Sequence, residues 1–213
     1  MSGRRLFIVG AGGFGREVFS WLMQMDVSEN LGVFSGFLDE DIAQALPPDF
    51  PGEIIGNPMR FALMKGDQIV IAIGDPRARL KIATELRKFG VEFPLIQHPT
   101  ATVGFGCRLG AGCILCPGAV ITTNVTLGDF VIVNVHASVG HDAQLGTGVT
   151  LSGHVDVTGW AVLGEGVFLG SHASVLPRAK VGAYAKIGAG SVVLRSVNAG
   201  ATVMGVPATQ ILP

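Results

Sequence analysis

His141 is followed at once by Asp142, the residue types of a general base and of the carboxylate that supports one. A carboxylate that meets an imidazole raises its basicity, and proton transfer to such a pair is a common catalytic step. The other histidines are placed differently. His136, His154 and His172 follow one another at intervals of 18 residues, and His98 stands apart near the middle of the chain. Equal spacing suits a structural ladder, a subunit contact or a metal site, since imidazole is a frequent transition-metal ligand. A second concentration of chemistry lies near the N-terminus. Gly10-Ala11-Gly12-Gly13-Phe14-Gly15 has the G-x-G-x-x-G spacing that lets backbone approach a phosphate, and Asp39-Glu40-Asp41 supplies carboxylates about where such folds hold a ribose.

The histidines are positioned by a repeat. Sixteen consecutive six-residue units run from Val103 to Asn198, each opening on an aliphatic residue such as Leu109, Ile121, Val139 or Leu169. The fifth position is always small, and Gly fills nine of the sixteen second positions, which reads as the bend. A period of six matches neither an α-helix nor a simple strand and predicts a parallel β-helix. Three units close one triangular coil, so residue i sits about 4.8 Å below residue i+18, and the repeat makes just over five coils. Thr123 and Gly159 then flank His141, leaving an open notch in which the Gly159 N–H is free to stabilise an oxyanion. Trp160 stacks over Asp142, where it either lines the acceptor site or, the favoured reading, fills a subunit contact.

The first ninety-odd residues read as βαβ. A buried strand, Arg4 to Val9, feeds the glycine motif and an apolar helix, Arg16 to Met25. A second strand, Val33 to Leu38, ends at the acidic run; a third, Gln68 to Ile73, ends at Gly74 before a helix from Pro76 to Phe89. The second mononucleotide half of a dinucleotide fold is missing, so this domain is sized for one nucleotide. The segment from Asp41 to Gly56 carries no motif. The expected organisation is residues 1–98 as an α/β nucleotide-binding domain resembling half a Rossmann fold, and residues 99–213 as the β-helix.

A net charge of −1 gives no electrostatic reason for nucleic acid or an anionic membrane as partner. No apolar run reaches the roughly 18 residues of a membrane span, and the N-terminus lacks a signal-peptide pattern, which predicts a cytoplasmic protein. Cys107 and Cys113 fall on inward fifth positions and read as core residues rather than ligands or disulfide partners, while Cys116 takes a second position. Only nine charged residues lie between Val103 and Asn198, leaving flat faces suited to self-association.

The glycine motif, Phe37-Leu38-Asp39, Ile71-Ala72-Ile73-Gly74, the run from Asn134 to Asp142 with Gly140-His141-Asp142, Leu169-Gly170, Val175-Leu176-Pro177 and Gly205-Val206-Pro207-Ala208 carry a resemblance that runs nearly end to end. The chain resembles the bacterial sugar O- and N-acetyltransferases of the sialic-acid O-acetyltransferase and bacillosamine-pathway type. That resemblance implies a left-handed β-helix and a homotrimer, with acetyl-CoA as co-substrate in a cleft between subunits. It also implies a nucleotide-linked 4-amino-4,6-dideoxysugar as acceptor, with GDP-perosamine favoured, and a place in lipopolysaccharide O-antigen biosynthesis. It puts the base on His141, its support on Asp142, and the sugar-nucleotide contacts on Gly12, Gly13, Phe14, Asp39, Glu40 and Gly74. Coenzyme A falls on Thr150, Ser171 and Ala189, with Arg178 and Lys180 basic enough for its phosphates. Asp142 and Glu40 replace a Glu and an Asp of the bacillosamine-type enzymes, and Phe14 replaces a His. Sugar O-acetylation uses the same base and stays open, as does a non-catalytic nucleotide-binding scaffold. A zinc lyase ranks between those two alternatives, because His136 and His141 resemble the paired histidines of β-helical carbonic anhydrases; Thr100 stands where that family has its third ligand, and no metal is expected.

Overall fold

A computed structural model describes residues 4–25, 31–43 and 45–211. Two compact units emerge from the backbone, one of residues 1–74 and 78–94, the other of residues 75–77 and 95–213.

The first unit is built on a four-stranded parallel sheet: β1 (Arg5–Val9), β2 (Val33–Leu38), β3 (Ile54–Gly56) and β4 (Gln68–Ile71), in the order β3-β2-β1-β4. Leu6, Phe7, Ile8 and Val9 are all buried, the continuous apolar run expected of a parallel strand covered on both faces. Helix α1 (Gly13–Leu22) presents Val18, Phe19 and Leu22 to the sheet, and Phe19 meets Phe34, Phe37 and Phe50 at centroid distances of 4.7–5.8 Å. Helix α2 (Pro76–Arg87) follows β4. The helix predicted from Arg16 begins a turn earlier, because the last glycines of the motif are already helical, and stops at Leu22 in a turn closed by Met23 N–H donating to Phe19. β3 lies within the stretch that carried no motif; three residues are too few to show a strand period.

The second unit is a parallel β-helix with three faces. Six two-residue strands, from Thr102–Val103 to Val192–Val193, form the first face, and six from Arg108–Leu109 to Ser196–Val197 the second. The third face extends the repeat at both ends, from Ile96–Gln97 through Thr202–Met204 to an antiparallel Thr209–Gln210. Successive coils pair at a register of 18, as Ser138↔Asp156 and Val139↔Val157 show, until the last turn, where Lys180↔Ser196 and Lys186↔Thr202 shorten the register by two residues. First-position aliphatics and small fifth-position residues fill the axis, and most are wholly buried. Each aliphatic so buried contributes about 1.5–3 kcal/mol of transfer free energy.

The bend has two special positions rather than one. At the second, a side chain on Gly140 would come within 2.7 Å of the Gly159 nitrogen one coil on. At the fourth, the backbone is left-handed, and the residues holding it include Asn124, Phe130, His136, Asp142, His154, Trp160, His172, Arg178 and Tyr184, with φ between 54° and 65°. Each such non-glycine corner costs on the order of 1 kcal/mol or more.

Candidate functional site

His141 occupies the third position of the corner joining Ser138–Val139 to Gln144–Leu145. Its Nδ1 lies 2.8 Å from Asp142 Oδ2, so the predicted pair forms. The left-handed backbone of Asp142 (φ 61°) aims a side chain back at its sequence neighbour, and the corner is held by Asp142 N–H donating to the Thr123 carbonyl at 3.0 Å. With a proton on Nδ1 donated to the carboxylate, Nε2 keeps its lone pair. Both side chains are partly open to solvent, at 48 % and 35 % exposure.

The surroundings of the ring differ from the open notch expected. A side chain on Gly159 would stand 2.7 Å from His141 Nε2 and 2.8 Å from its Cε1; the imidazole itself fills the space, and Gly159 is buried. The Gly159 N–H has no hydrogen-bond partner among the described residues, while its carbonyl accepts from Arg178 N–H at 3.0 Å. Trp160 sets its indole edge-to-face with His141 at 4.3 Å and 86°, and the Arg178 guanidinium lies 4.7 Å over that indole. Asp142, Trp160 and Arg178 are fourth-position corners of three successive coils, so one column carries carboxylate, aromatic and cation beside the base. The contact of Trp160 with His141 has one signal in the sequence, a separation of 19, one coil plus one residue.

The residues expected to hold coenzyme A do not gather at this corner. Arg178 and Lys180 do lie there, both exposed, but Ser171 and Ala189 stack at the corner between the third and first faces. Thr150, on a strand of the third face, is only 4 % exposed. His136, His154 and His172 stack at the same corner as Ser171, with centroids 5.3 and 4.8 Å apart. Thr100, at the missing third-ligand position, spends its hydroxyl on His98 Nδ1 at 2.8 Å and on Gly118 N–H at 3.0 Å. Among the described residues no group of three or more His, Cys, Asp or Glu could hold a metal ion. All three cysteines are free thiols.

In the N-terminal unit the glycines of the motif divide by role. A Cβ on Gly15 would fall 1.8 Å from the Gly10 carbonyl oxygen, and Gly10 itself has φ 102°, so these two are demanded by helix–strand packing. Gly12 and Gly13 face open space. Helix α1 starts there with no side-chain cap and no acidic residue in its first turn, which leaves its amides and positive dipole end for an anion. Asp39 Oδ2 accepts from Ala11 N–H at 2.7 Å, tying the end of β2 to the glycine turn. A cavity of about 280 Å³ opens at these strand ends, lined by Gly10, Asp39, Glu40, Ile73, Lys81 and Ile82 among others. Gly12, Gly13, Phe14 and Gly74 lie outside its lining; Phe14 packs edge-to-face on Trp21 at 6.1 Å, and the Gly74 carbonyl accepts from the buried Arg79 at 3.1 Å. Lys81 and Ile82 were not singled out in the sequence, although Ala78, Lys81 and Ile82 have the i, i+3, i+4 spacing of one helix face.

A nucleotide-type βαβ unit joined to a β-helix with an imidazole–carboxylate pair at one corner defines a hexapeptide-repeat acyltransferase architecture. Family comparison agrees: residues 5–86 match the PglD N-terminal domain, and residues 161–195 match the bacterial transferase hexapeptide (six repeats). The chain is 32 % identical over 139 residues to a GDP-perosamine N-acetyltransferase of Escherichia coli O157:H7, a match covering 64 % of this chain and 62 % of that relative. It superposes on PerB from Caulobacter crescentus, solved with CoA and GDP-perosamine, with a TM-score of 0.85, 30 % identity and coverage of 97 % and 96 % of the two chains. The same Caulobacter protein has been solved with both ligands as a histidine-to-asparagine variant. The acetyltransferase domain of PglB from Neisseria gonorrhoeae gives a TM-score of 0.86 at 30 % identity, covering 98 % of this chain and all of that one. The chain belongs to this family of bacterial sugar N-acetyltransferases.

Proposed function

We propose that the protein transfers an acetyl group from acetyl-CoA to the 4-amino group of a nucleotide-linked 4-amino-4,6-dideoxysugar, with GDP-perosamine as the favoured acceptor. The observation that carries this reading is the 2.8 Å contact between His141 Nδ1 and Asp142, which leaves Nε2 as a base. The amine nitrogen attacks the thioester carbonyl carbon while His141 Nε2 takes its proton. The carbonyl electrons pass to oxygen, where the unpaired Gly159 N–H is the proposed donor. Collapse of the tetrahedral adduct expels the coenzyme A thiolate, and the imidazolium returns the proton to sulfur. Coenzyme A is assigned to Arg178 and Lys180 of one subunit and to Thr150, Ser171 and Ala189 of the next, in a homotrimer. The nucleotide-sugar is assigned to residues 1–98, at Gly12, Gly13, Phe14, Asp39, Glu40 and Gly74, and the site of action to the cytoplasm and O-antigen assembly. No helix among the described residues is long and apolar enough to cross a membrane.

The test is acetyl-CoA-dependent thiol release with a panel of nucleotide-linked 4-amino sugars and their 4-hydroxy counterparts. One 4-amino sugar turns over, and His141→Asn lowers kcat about 10²- to 10⁴-fold with acceptor binding retained. Turnover of hydroxyl acceptors alone would replace N-acetylation by O-acetylation, and full activity of His141→Asn would remove the base from this residue.

A further inference from the structure

We propose that Glu40 and Lys81 read the base of the bound nucleotide and that the base they select is guanine. This rests on the nucleotide-sugar reading above and adds a mechanism of selection. Two cavities of the N-terminal unit share the walls Glu40, Lys81 and Ile82. The first reaches Gly10 and Asp39, at the strand ends where phosphate and ribose belong in a fold of this kind. The second, about 350 Å³, runs between Met59, Ile82 and Phe89, apolar surfaces against which a flat heterocycle can lie. Four charged side chains line that second cavity. Glu85 and Lys88 are bound to each other at 2.6 Å, whereas neither the Glu40 carboxylate nor the Lys81 ammonium has a hydrogen-bond or ion-pair partner among the described residues.

An ionised carboxylate only accepts and an ammonium only donates. The outer edge of guanine presents O6 as acceptor, then N1–H and N2–H as adjacent donors, so Glu40 can take both N–H groups while Lys81 donates to O6. Uracil and thymine present acceptor, donor, acceptor. On either of them one oxygen of Glu40 would face a carbonyl oxygen, and a site built to pair a polar group discriminates strongly against a partner that leaves it unpaired.

The experiment is calorimetric titration of the full chain with GDP, IDP, UDP and dTDP, for the unaltered protein, Glu40→Gln and Lys81→Met. GDP should bind at least about tenfold more tightly than UDP or dTDP, the scale of one well-made bidentate contact. IDP, which lacks the 2-amino group, should be weaker than GDP. Glu40→Gln should erase the GDP-to-IDP preference, and Lys81→Met should weaken both by the same factor. A purely structural role for Glu40 would lower GDP and IDP together and keep their ratio, which overturns the proposal, as does UDP or dTDP binding as tightly as GDP. Normal acetyl transfer to a UDP- or dTDP-linked amino sugar would overturn the base reading alone. GDP selection as described, with no acetyl transfer to any acceptor, would overturn the enzymatic reading alone.

Discussion

His141 is held from two sides, by Asp142 at Nδ1 and by the Trp160 indole edge-to-face with the ring, over the bare α-carbon of Gly159. Sequence adjacency did not guarantee the first contact; the left-handed φ of Asp142 supplies it. One corner further round, Tyr184 donates its hydroxyl to the Glu165 carboxylate. That hydrogen bond, then burial, then the charge of Glu165 raise the Tyr184 pKa above the usual range of a phenol. The chain has a single tyrosine, so its alkaline tyrosinate absorbance reports this group alone. The raised folded-state value means that the contact stabilises fully below the ordinary phenol pKa and is lost as pH rises through the higher one. Spectrophotometric titration should place the folded protein's transition above that of the unfolded chain, and Glu165→Ala should bring it down; an unchanged midpoint in the variant would remove Glu165 as the cause.

The six-residue unit was legible because its two inward positions repeat without a break, and the register of 18 follows from three such units. From that register the stacking of His136, His154 and His172, and of His141 on Gly159, could be read directly. The left-handed fourth position could not, since six of its occupants from Gly106 to Gly190 are glycine while the others are as unlike as Phe130, Trp160 and Arg178. Their common property is backbone conformation, and coil-to-coil hydrogen bonds rather than residue type impose it. Lys81 escaped notice for another reason: a single surface lysine on a helix has no signature until α2 is docked beside the ends of β1 and β2. At this scale, Gly190→Ala tests the corner alone, because its φ is 66° and a new Cβ meets nothing within 4 Å. It should cost about 1–2 kcal/mol of backbone strain. Gly166→Ala carries the same strain at φ 62° and also drives its Cβ to 2.3 Å from the Tyr184 ring. Denaturant melts should therefore rank Gly166→Ala as clearly less stable than Gly190→Ala, and equal losses would mean that Tyr184 gives way freely.

Within one chain the proposed halves of the acetyl-transfer site lie at different corners of the triangular coil, His141 and Arg178 at one, Ser171 and Ala189 at another. A single β-helix cannot bring those corners together without breaking its own coil, whereas side-by-side packing in a closed ring sets one corner of each copy against a different corner of its neighbour. Faces carrying few charges are suited to that packing. Such a site has a consequence that a site confined to one chain does not share. His141→Asn removes the base, and Ser171→Trp fills the opposite corner, so each variant alone should lose acetyl transfer while keeping its fold. If the two are unfolded together in equal amounts and refolded, an interface works when its His141 side comes from the tryptophan variant and its Ser171 side from the asparagine variant. Random assembly makes that about one interface in four, so roughly a quarter of the unmutated activity should return on mixing, measured by thiol release with the same acceptor. Activity that stays at the level of the separate variants would place the whole site within one subunit.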